Sequence, residues 1–478
     1  MGQEMFCLAL ESSLTFYWDK PGNAVPPYTV ILNGNMRQTT DKTHITFDGL
    51  QPGTGYSAEL YMSGTLISST ECETQQRRRA LDVRDFGARG DGVTPDTRAI
   101  QAAIDACGYG EEVILREGTY ICGAIRLHGN MALHICEGAV LQGTSCPDDY
   151  LPFIPSRFEG IERPCYSSQI NVGHMDHTKG PECSDVLIYG GGKISGGGQE
   201  LFDAVVRAEY ERNPDRVVDE ATAAEGDEYV PGRSRPRLIN VSNCRNVRIT
   251  GLTLENAASW NVHMIYSENV VTDHCRFNSW CISNGDGWDP DSSENCTLFA
   301  CSFYTGDDAV AIKSGKNPEG NVIARPTKNV RIFDCVSEFS HALAIGSEMS
   351  GGIENVRIWD CDFRGSILGL MIKSTSKRGG YVRNIVMKDC SAPSIRIIKI
   401  GYNDDGLPAD EEPLIENCTF ENVEVTGRSI NYDKGFDPCN KVEIAGYDSK
   451  KARNIYFKNC SFGKDEIIME NVENVVFS

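Results

Sequence analysis

The chain has 478 residues, with 46 Lys and Arg against 67 Asp and Glu, a formal net charge of −21, and 40% hydrophobic residues. This is the composition of a globular protein with length enough for a large core, and its acidic balance, with no basic stretch beyond Gln75–Arg79, argues against a duplex nucleic-acid binder that neutralises phosphate with clustered Lys and Arg. No run of 18 apolar residues occurs, and Met5–Leu10 is too short and lacks a basic flank, so the expectation is a cytoplasmic protein with neither a membrane nor a nucleic-acid partner, its oligomeric state open.

The first 78 residues carry a strand texture of their own. Leu14-Thr-Phe-Tyr-Trp18 alternates, Tyr28-Thr-Val-Ile-Leu-Asn33-Gly34 reads as a strand entering a turn, and Leu50-Gln-Pro52-Gly-Thr54-Gly-Tyr56 places a Tyr where sandwich domains fix a strand corner through its hydroxyl. The stretch resembles a fibronectin type III module, which implies a small β-sandwich over residues 1–78 with Trp18 and Tyr56 in its core. Gln75–Arg79 then reads as a solvated linker.

Residues 79–478 read differently. Thr94-Pro95-Asp96-Thr97 offers an N-cap and a Pro at the first helical position, and Ile100, Ala103, Ile104 and Cys107 share one face of the helix that follows, placed to plug the end of what comes next. Further on, Asn269 with Cys275, Asn295 with Cys301, Asn329 with Cys335, Asn355 with Cys361, Asn384 with Cys390 and Asn454 with Cys460 are each six residues apart, and the first five Asn recur at intervals of 26, 34, 26 and 29. Short alternating runs such as Asn329-Val-Arg-Ile-Phe-Asp-Cys335 and Asn355-Val-Arg-Ile-Trp-Asp-Cys361 mark strands closed by tight turns. A repeat of variable length built from such strands is a coiled solenoid. The reading is an all-β chain: a right-handed parallel β-helix over 79–478 behind a small β-sandwich. One Cys per coil is a core ladder of reduced thiols rather than a disulfide framework, and without a Cys-x-x-Cys pair no metal site and no cofactor are expected.

One face should carry chemistry. Asn284-Gly-Asp286-Gly-Trp-Asp-Pro-Asp291 is followed, 21 residues after Asp286, by Thr305-Gly-Asp307-Asp308-Ala-Val-Ala-Ile-Lys313. That spacing is close to one coil, so three carboxyls can converge. Like charges held together raise at least one pKa and set a protonated acid beside ionised bases, which is what glycoside hydrolysis requires. Asp and Gly are also ordinary turn residues, and paired carboxylates suit Ca²⁺.

These motifs, together with Asp85-Phe-Gly-Ala88, Gly90-Asp-Gly92 and Arg157-Phe-Glu-Gly160, resemble the family 28 glycoside hydrolases, the polygalacturonase family, whose pattern runs Asn-Thr-Asp, Gly-Asp-Asp, Gly-His-Gly, Arg-Ile-Lys and then a Tyr. The resemblance implies inverting hydrolysis of a pectic oligosaccharide. It makes Asp307 the proton donor and gives Asp286 and Asp308 the activation of water. Asn284 keeps the family's Asn, with Gly285 in place of Thr. His341 in Ser-His-Ala takes the place of the family His and would hydrogen-bond the acid as a neutral imidazole, and Lys373 matches the Lys that pairs with a substrate carboxylate. Tyr402 is the candidate Tyr. Gly346-Ser-Glu348-Met-Ser-Gly-Gly352 resembles the exo-acting bacterial branch and adds Glu348 to the substrate-binding set.

His263, after Trp260-Asn261, is read either as lining the cleft or as structural. The resemblance departs at Met371, which occupies the position of the Arg. Val205–Arg237 breaks the coil pattern and is read either as a wall at one end of the cleft, which would make attack exo, or as a solvated charged helix. Open at this stage are an exo-glycosidase on galacturonides, a hydrolase of rhamnogalacturonan or substituted galacturonides, a Ca²⁺-dependent lyase, and a non-catalytic carbohydrate-binding β-helix.

Overall fold

The computed structural model describes residues 4–22, 26–214, 230–462 and 467–478. The chain divides into two compact units, residues 1–80 with 108–112, and residues 81–107 with 113–478.

In the first unit, strands β1 (Met5–Ala9), β2 (Ser13–Trp18) and β5 (His44–Asp48) form one antiparallel sheet. Strands β3 (Tyr28–Leu32), β4 (Met36–Thr40), β6 (Gly55–Met62) and β7 (Thr65–Glu73) form the other, in the order β4-β3-β6-β7. The alternation seen in the sequence supplies the filling: Leu14, Phe16 and Trp18 from one sheet meet Tyr28, Val30, Leu32, Ala58 and Leu60 from the other, all fully or almost fully buried. The Tyr56 hydroxyl accepts the backbone N–H of Gln51 at 3.1 Å, the corner that its position suggested.

The second unit is a parallel β-helix. Each turn gives one strand to each of three sheets: Cys244–Thr250, Thr253–Glu255 and Val262–Ile265 make one turn, and Glu268–Asp273, Arg276–Ser279 and Trp288–Asp291 the next. Successive turns pair in register, Val247 with Val270, Leu254 with Phe277 and Val262 with Trp288, so like stacks on like inside. The Asn–Cys repeat is the outline of this stack. Asn329, Asn355, Asn384, Asn417 and Asn454 each take a positive φ, which Asn tolerates better than most residues. Each donates its side-chain amide to the Asn of the turn before, at 3.1–3.3 Å. Cys275, Cys301, Cys335, Cys361 and Cys390 are buried, with the Cys301 Sγ accepting the Cys275 N–H at 3.4 Å, and none of the nineteen cysteines forms a disulfide.

Helix α1 (Thr97–Ala106) buries Ile100, Ala103 and Ile104 in the core of this unit, as its pattern indicates. Its start differs from the expectation. Thr94 and Pro95 end a strand, Asp91–Pro95, and Asp96 is the N-cap; the Asp96 carboxylate is drawn away to the backbone N–H groups of Arg89 and Gly90 at 2.7 and 3.0 Å. A Pro closing a strand costs no ladder donor there.

Candidate active site

The predicted acids lie where the second strand of a turn passes to the third. The corner between Ser279 and Trp288 carries Asn284 and Asp286, the corner between Thr305 and Val310 carries Asp307 and Asp308, and the next turn brings His341 within the strand Val336–Ile345. Two glycines make the corners possible. A Cβ on Gly285 would stand 2.7 Å from the Ile282 carbonyl oxygen and one on Gly306 would stand 2.5 Å from the same atom, so Gly285 is required here where the family pattern has Thr. Backbone bonds then lock the acids turn to turn: the Asp286 carbonyl accepts Asn261 N–H at 2.9 Å, Asp308 O accepts Gly287 N–H at 3.0 Å, and Asp307 O accepts His341 N–H at 2.9 Å.

Asn284, Asp286, Asp307, Asp308, His341, Glu348, Met371, Lys373 and Tyr402 all line one cleft of about 960 Å³. Its cations are placed on the acids. Lys313 Nζ lies 3.4 Å from Asp286 and 3.3 Å from Glu348, over the Trp260 ring at 4.6 Å. Lys373 Nζ lies 3.1 Å from Asp308, and His341 Nδ1 lies 3.1 Å from Asp307.

The environments pull the three carboxyls apart. Burial, opposed by Lys313 and reinforced by the charges of Asp307 and Asp308, pushes Asp286 up to about 8. Burial also raises Asp308, against the pull of Lys373. At Asp307 burial is outweighed by the hydrogen bond and charge of His341, which hold it below the usual carboxylate range. His341 shows the converse: burial lowers it, but the bond to Asp307 and the charges of Asp307 and Asp308 carry it up to about 10. The imidazole is therefore a cation at neutral pH, where the sequence reading has it neutral, because the Asp307 carboxylate lies against its Nδ1 and the charge of Asp308 adds to it. At neutral pH Asp286 and His341 therefore each carry a proton. Glu348, buried beside Lys313, is held below its ordinary value by that ammonium.

Beside the acids, three segments outside the coil pattern are joined by ion pairs. Arg233 meets Glu159 at 2.7 Å and Asp405 at 3.4 Å, and Asp405 also receives Lys316. Glu159 stands at the turn of a hairpin, Ile154–Phe158 with Ile161–Cys165. The chain Glu159–Arg233–Asp405–Lys316 thus stitches the hairpin to the 230–237 segment and the 401–405 loop, and Glu159, Arg233 and Asp405 line the cleft. Of the insertion over 205–237, residues 215–229 lie outside the described residues. Helix α2 (Gly198–Arg212) buries Leu201, Val205 and Glu209, so this part is not a solvated charged helix.

The sequence profile of Glycosyl hydrolases family 28 matches residues 159–476. The chain belongs to that family. A second profile, Rhamnogalacturonase A/epimerase, pectate lyase-like, matches residues 80–134. The chain is 30% identical over 372 residues to a probable polygalacturonase of Vitis vinifera, covering 74% of this chain and 71% of that one. It is 26% identical over 434 residues to an exo-poly-α-D-galacturonosidase of Dickeya chrysanthemi, covering 84% and 71%. Among solved structures, the family 28 exopolygalacturonase of Yersinia enterocolitica superposes over 99% of this chain and 98% of its own with a TM-score of 0.81 at 21% identity. The Thermotoga maritima exopolygalacturonase covers 84% and 92% with a TM-score of 0.67 at 27% identity. Family membership makes the protein a glycosidase and sets aside the lyase and the binding-only readings.

In this family 28 glycosidase one expected site residue is not in the cleft. His263 is fully buried, its Nε2 3.4 Å from Asp291 and its ring edge-on to Trp260 at 4.7 Å; with the strand neighbour Asp289 it forms part of the layer behind the acids, and burial lowers its pKa to about 4. Lys373, expected to meet a substrate carboxylate, is engaged by Asp308. The sequence reading gives no role in the cleft to Lys313, Trp260, Arg233 or Asp405, although Lys313 ends the Gly-Asp-Asp motif and Trp260 precedes His263. Lys313 had a signal: it closes the apolar run Ala309–Ile312, where a charge is tolerated only against other charges.

Proposed function

We propose that this glycosidase hydrolyses galacturonate-containing pectic oligosaccharides from a chain end, with inversion at the anomeric carbon. What carries the reading is the set of three carboxyls in one cleft whose surroundings drive their protonation apart. Polyuronide substrates are anions, and this chain of net charge −21 brings Lys313, Lys373 and Arg233 to the cleft, where a sugar carboxylate would share each of them with an acid of the protein. The relatives named as exo-acting support the chain-end mode, as does the ion-paired wall of Glu159, Arg233 and Asp405.

The proton starts on His341. It moves from Nδ1 to Asp307 as sugar displaces water from the cleft, and Asp307 passes it to the glycosidic oxygen while the bond from that oxygen to the anomeric carbon breaks. Water attacks from the opposite face and gives its proton to Asp308, whose negative charge Lys373 holds. Asp286, neutral, orients that water by hydrogen bonding. One observation favours an exchange of roles: of the three, Asp286 is the carboxyl pushed up to about 8, high enough to hold its own proton at neutral pH. Aryl galacturonides with a good leaving group distinguish the two, because they need little help from an acid. Asp307→Asn should lose at least about 10²-fold in kcat on digalacturonate and far less on the aryl substrate. If Asp286→Asn shows that pattern instead, the roles are exchanged; if neither variant loses turnover, the site assignment is wrong.

A further inference from the structure

On the outer side of the cleft a small antiparallel hairpin, Arg428–Ile430 with Phe436–Pro438, stands apart from the coils. Its turn is closed by Asn431, whose N–H donates to Gly435 O at 3.0 Å and whose side-chain oxygen accepts Gly435 N–H at 2.8 Å. Ser429 Oγ donates to Ile367 O at 2.5 Å and so fastens the hairpin to the strand Ser366–Ser374. At the turn sits Tyr432. Its ring lies 5.7 Å from Phe339 and 6.3 Å from Trp280, and its hydroxyl lies 2.6 Å from His341 Nε2. The other nitrogen of the same imidazole is the one that meets Asp307.

We propose that Tyr432 is a positioning residue that acts through His341: by accepting the Nε2 proton it leaves Nδ1 as the only nitrogen that exchanges a proton with Asp307. This rests on the reading of Asp307 as the donor. The two imidazole nitrogens are distinct, and which one keeps its proton is set by the bond that the other makes. Without a fixed acceptor at Nε2, the neutral ring left after proton transfer could keep its hydrogen on either nitrogen, and half of those states would present Asp307 with a nitrogen unable to take a proton back. The groups that face the imidazole are Asp307 and Asp308 from the preceding turn and Tyr432 from the hairpin. Lys373, on the following turn, is held by Asp308, and Lys434 of the hairpin lies over the Tyr304 ring at 5.2 Å. Two carboxylates and one hydroxyl therefore set the charge of His341, and the hydroxyl is the member that can be removed without disturbing an acid.

The test is Tyr432→Phe, which keeps the ring against Trp280 and Phe339. NMR of labelled histidine in the unliganded full-length enzyme, with the His341 signal assigned through His341→Asn, should show the His341 midpoint lowered by about one pH unit, the loss of one hydrogen bond to a charged group. The alkaline limb of kcat should move down with it, while KM changes less than about threefold. In a His341→Asn background, Tyr432→Phe should have no further effect on kcat. An unmoved His341 midpoint overturns the proposal, and so does an effect of Tyr432→Phe that persists without the imidazole. Because the midpoint is read without substrate, it stands or falls separately from the role of Asp307, which the aryl-substrate comparison decides.

Discussion

Lys313 is the cation that buried Asp286 and Glu348 share, and Lys313→Met isolates it. Its ammonium is 3.4 Å from Asp286 and 3.3 Å from Glu348, all three side chains are less than a tenth exposed, and the carboxylates around it hold its pKa well above the ordinary value in spite of burial. Met approximates the stem without the charge. Removing one partner of a buried pair leaves an uncompensated charge, which costs about 3 to 5 kcal/mol. The deficit should depend on pH in a definite direction. In the wild type Glu348 sits below its unfolded value, so its contribution is complete above about pH 4.3 and fades as pH falls through the folded value. In the variant burial is opposed only by the weaker pull of Lys373 and Arg378, Glu348 rises, and the penalty of ionising it at neutral pH is relieved as pH falls. Both effects shrink the difference between the two proteins toward low pH. The assay is thermal or denaturant unfolding of both proteins at pH 7 and pH 4.5. A deficit under about 1 kcal/mol at pH 7, or one that grows as pH is lowered, would refute the account of Lys313 as the counter-charge.

Proton NMR of the first-formed product should show the anomer opposite to that of the substrate, since water and acid act on opposite faces; retention would mean that a carboxylate had attacked. Asn355→Ala should destabilise by about 1 to 3 kcal/mol, because it breaks bonds to Asn329 and Asn384 and puts a Cβ residue without a local partner at φ +57°; Asn355→Gly should cost less because the backbone term disappears. Equal losses in unfolding experiments would show that the amide ladder alone matters.

What the sequence made legible was what repeats or what chemistry forces to be local. The Asn–Cys spacing marked the coils because every turn must reuse one left-handed corner and one small buried side chain, and Asp286, Asp307 and Asp308 could be brought together because their separation is close to one coil. Partners that arrive from outside the period left no such trace. Arg233 comes from an insertion, Asp405 from a loop, and Tyr432 reaches His341 across 91 residues of chain from a hairpin that no coil predicts. Protonation was illegible for a related reason. That one of three adjacent carboxyls must rise follows from charge alone, but which of them stays low depends on where the cations are: His341 holds Asp307 down, while burial lifts Asp286 even against Lys313. His263 misled because a His next to a Trp reads alike whether the pair faces outward or lies one layer deeper.

Met371 is where geometry adds to the sequence. It sits on the outward row of the third sheet, with Ala344 before it and Arg396 after it in register, and it packs with Ala342, Ala344, Leu368 and Ile398. Arg396 does not stand in for the absent Arg, since its Nε is 3.6 Å from Glu443. The floor of the cleft beside Lys373 is therefore apolar, and a sugar resting there gains from a neutral, methylated or deoxy group rather than from a carboxylate. An Arg at this position would extend over Leu368 and could grip a carboxylate with two parallel bonds, worth about 1.5 to 3 kcal/mol or roughly 10- to 150-fold in kcat/KM. The wild type should accept a disaccharide with a neutral or substituted second sugar at least as well as digalacturonate, and Met371→Arg should move the ratio toward digalacturonate by about that factor. If the wild type strongly prefers digalacturonate and the substitution leaves the ratio where it was, the second sugar does not rest on Met371, and its recognition belongs to another part of the cleft.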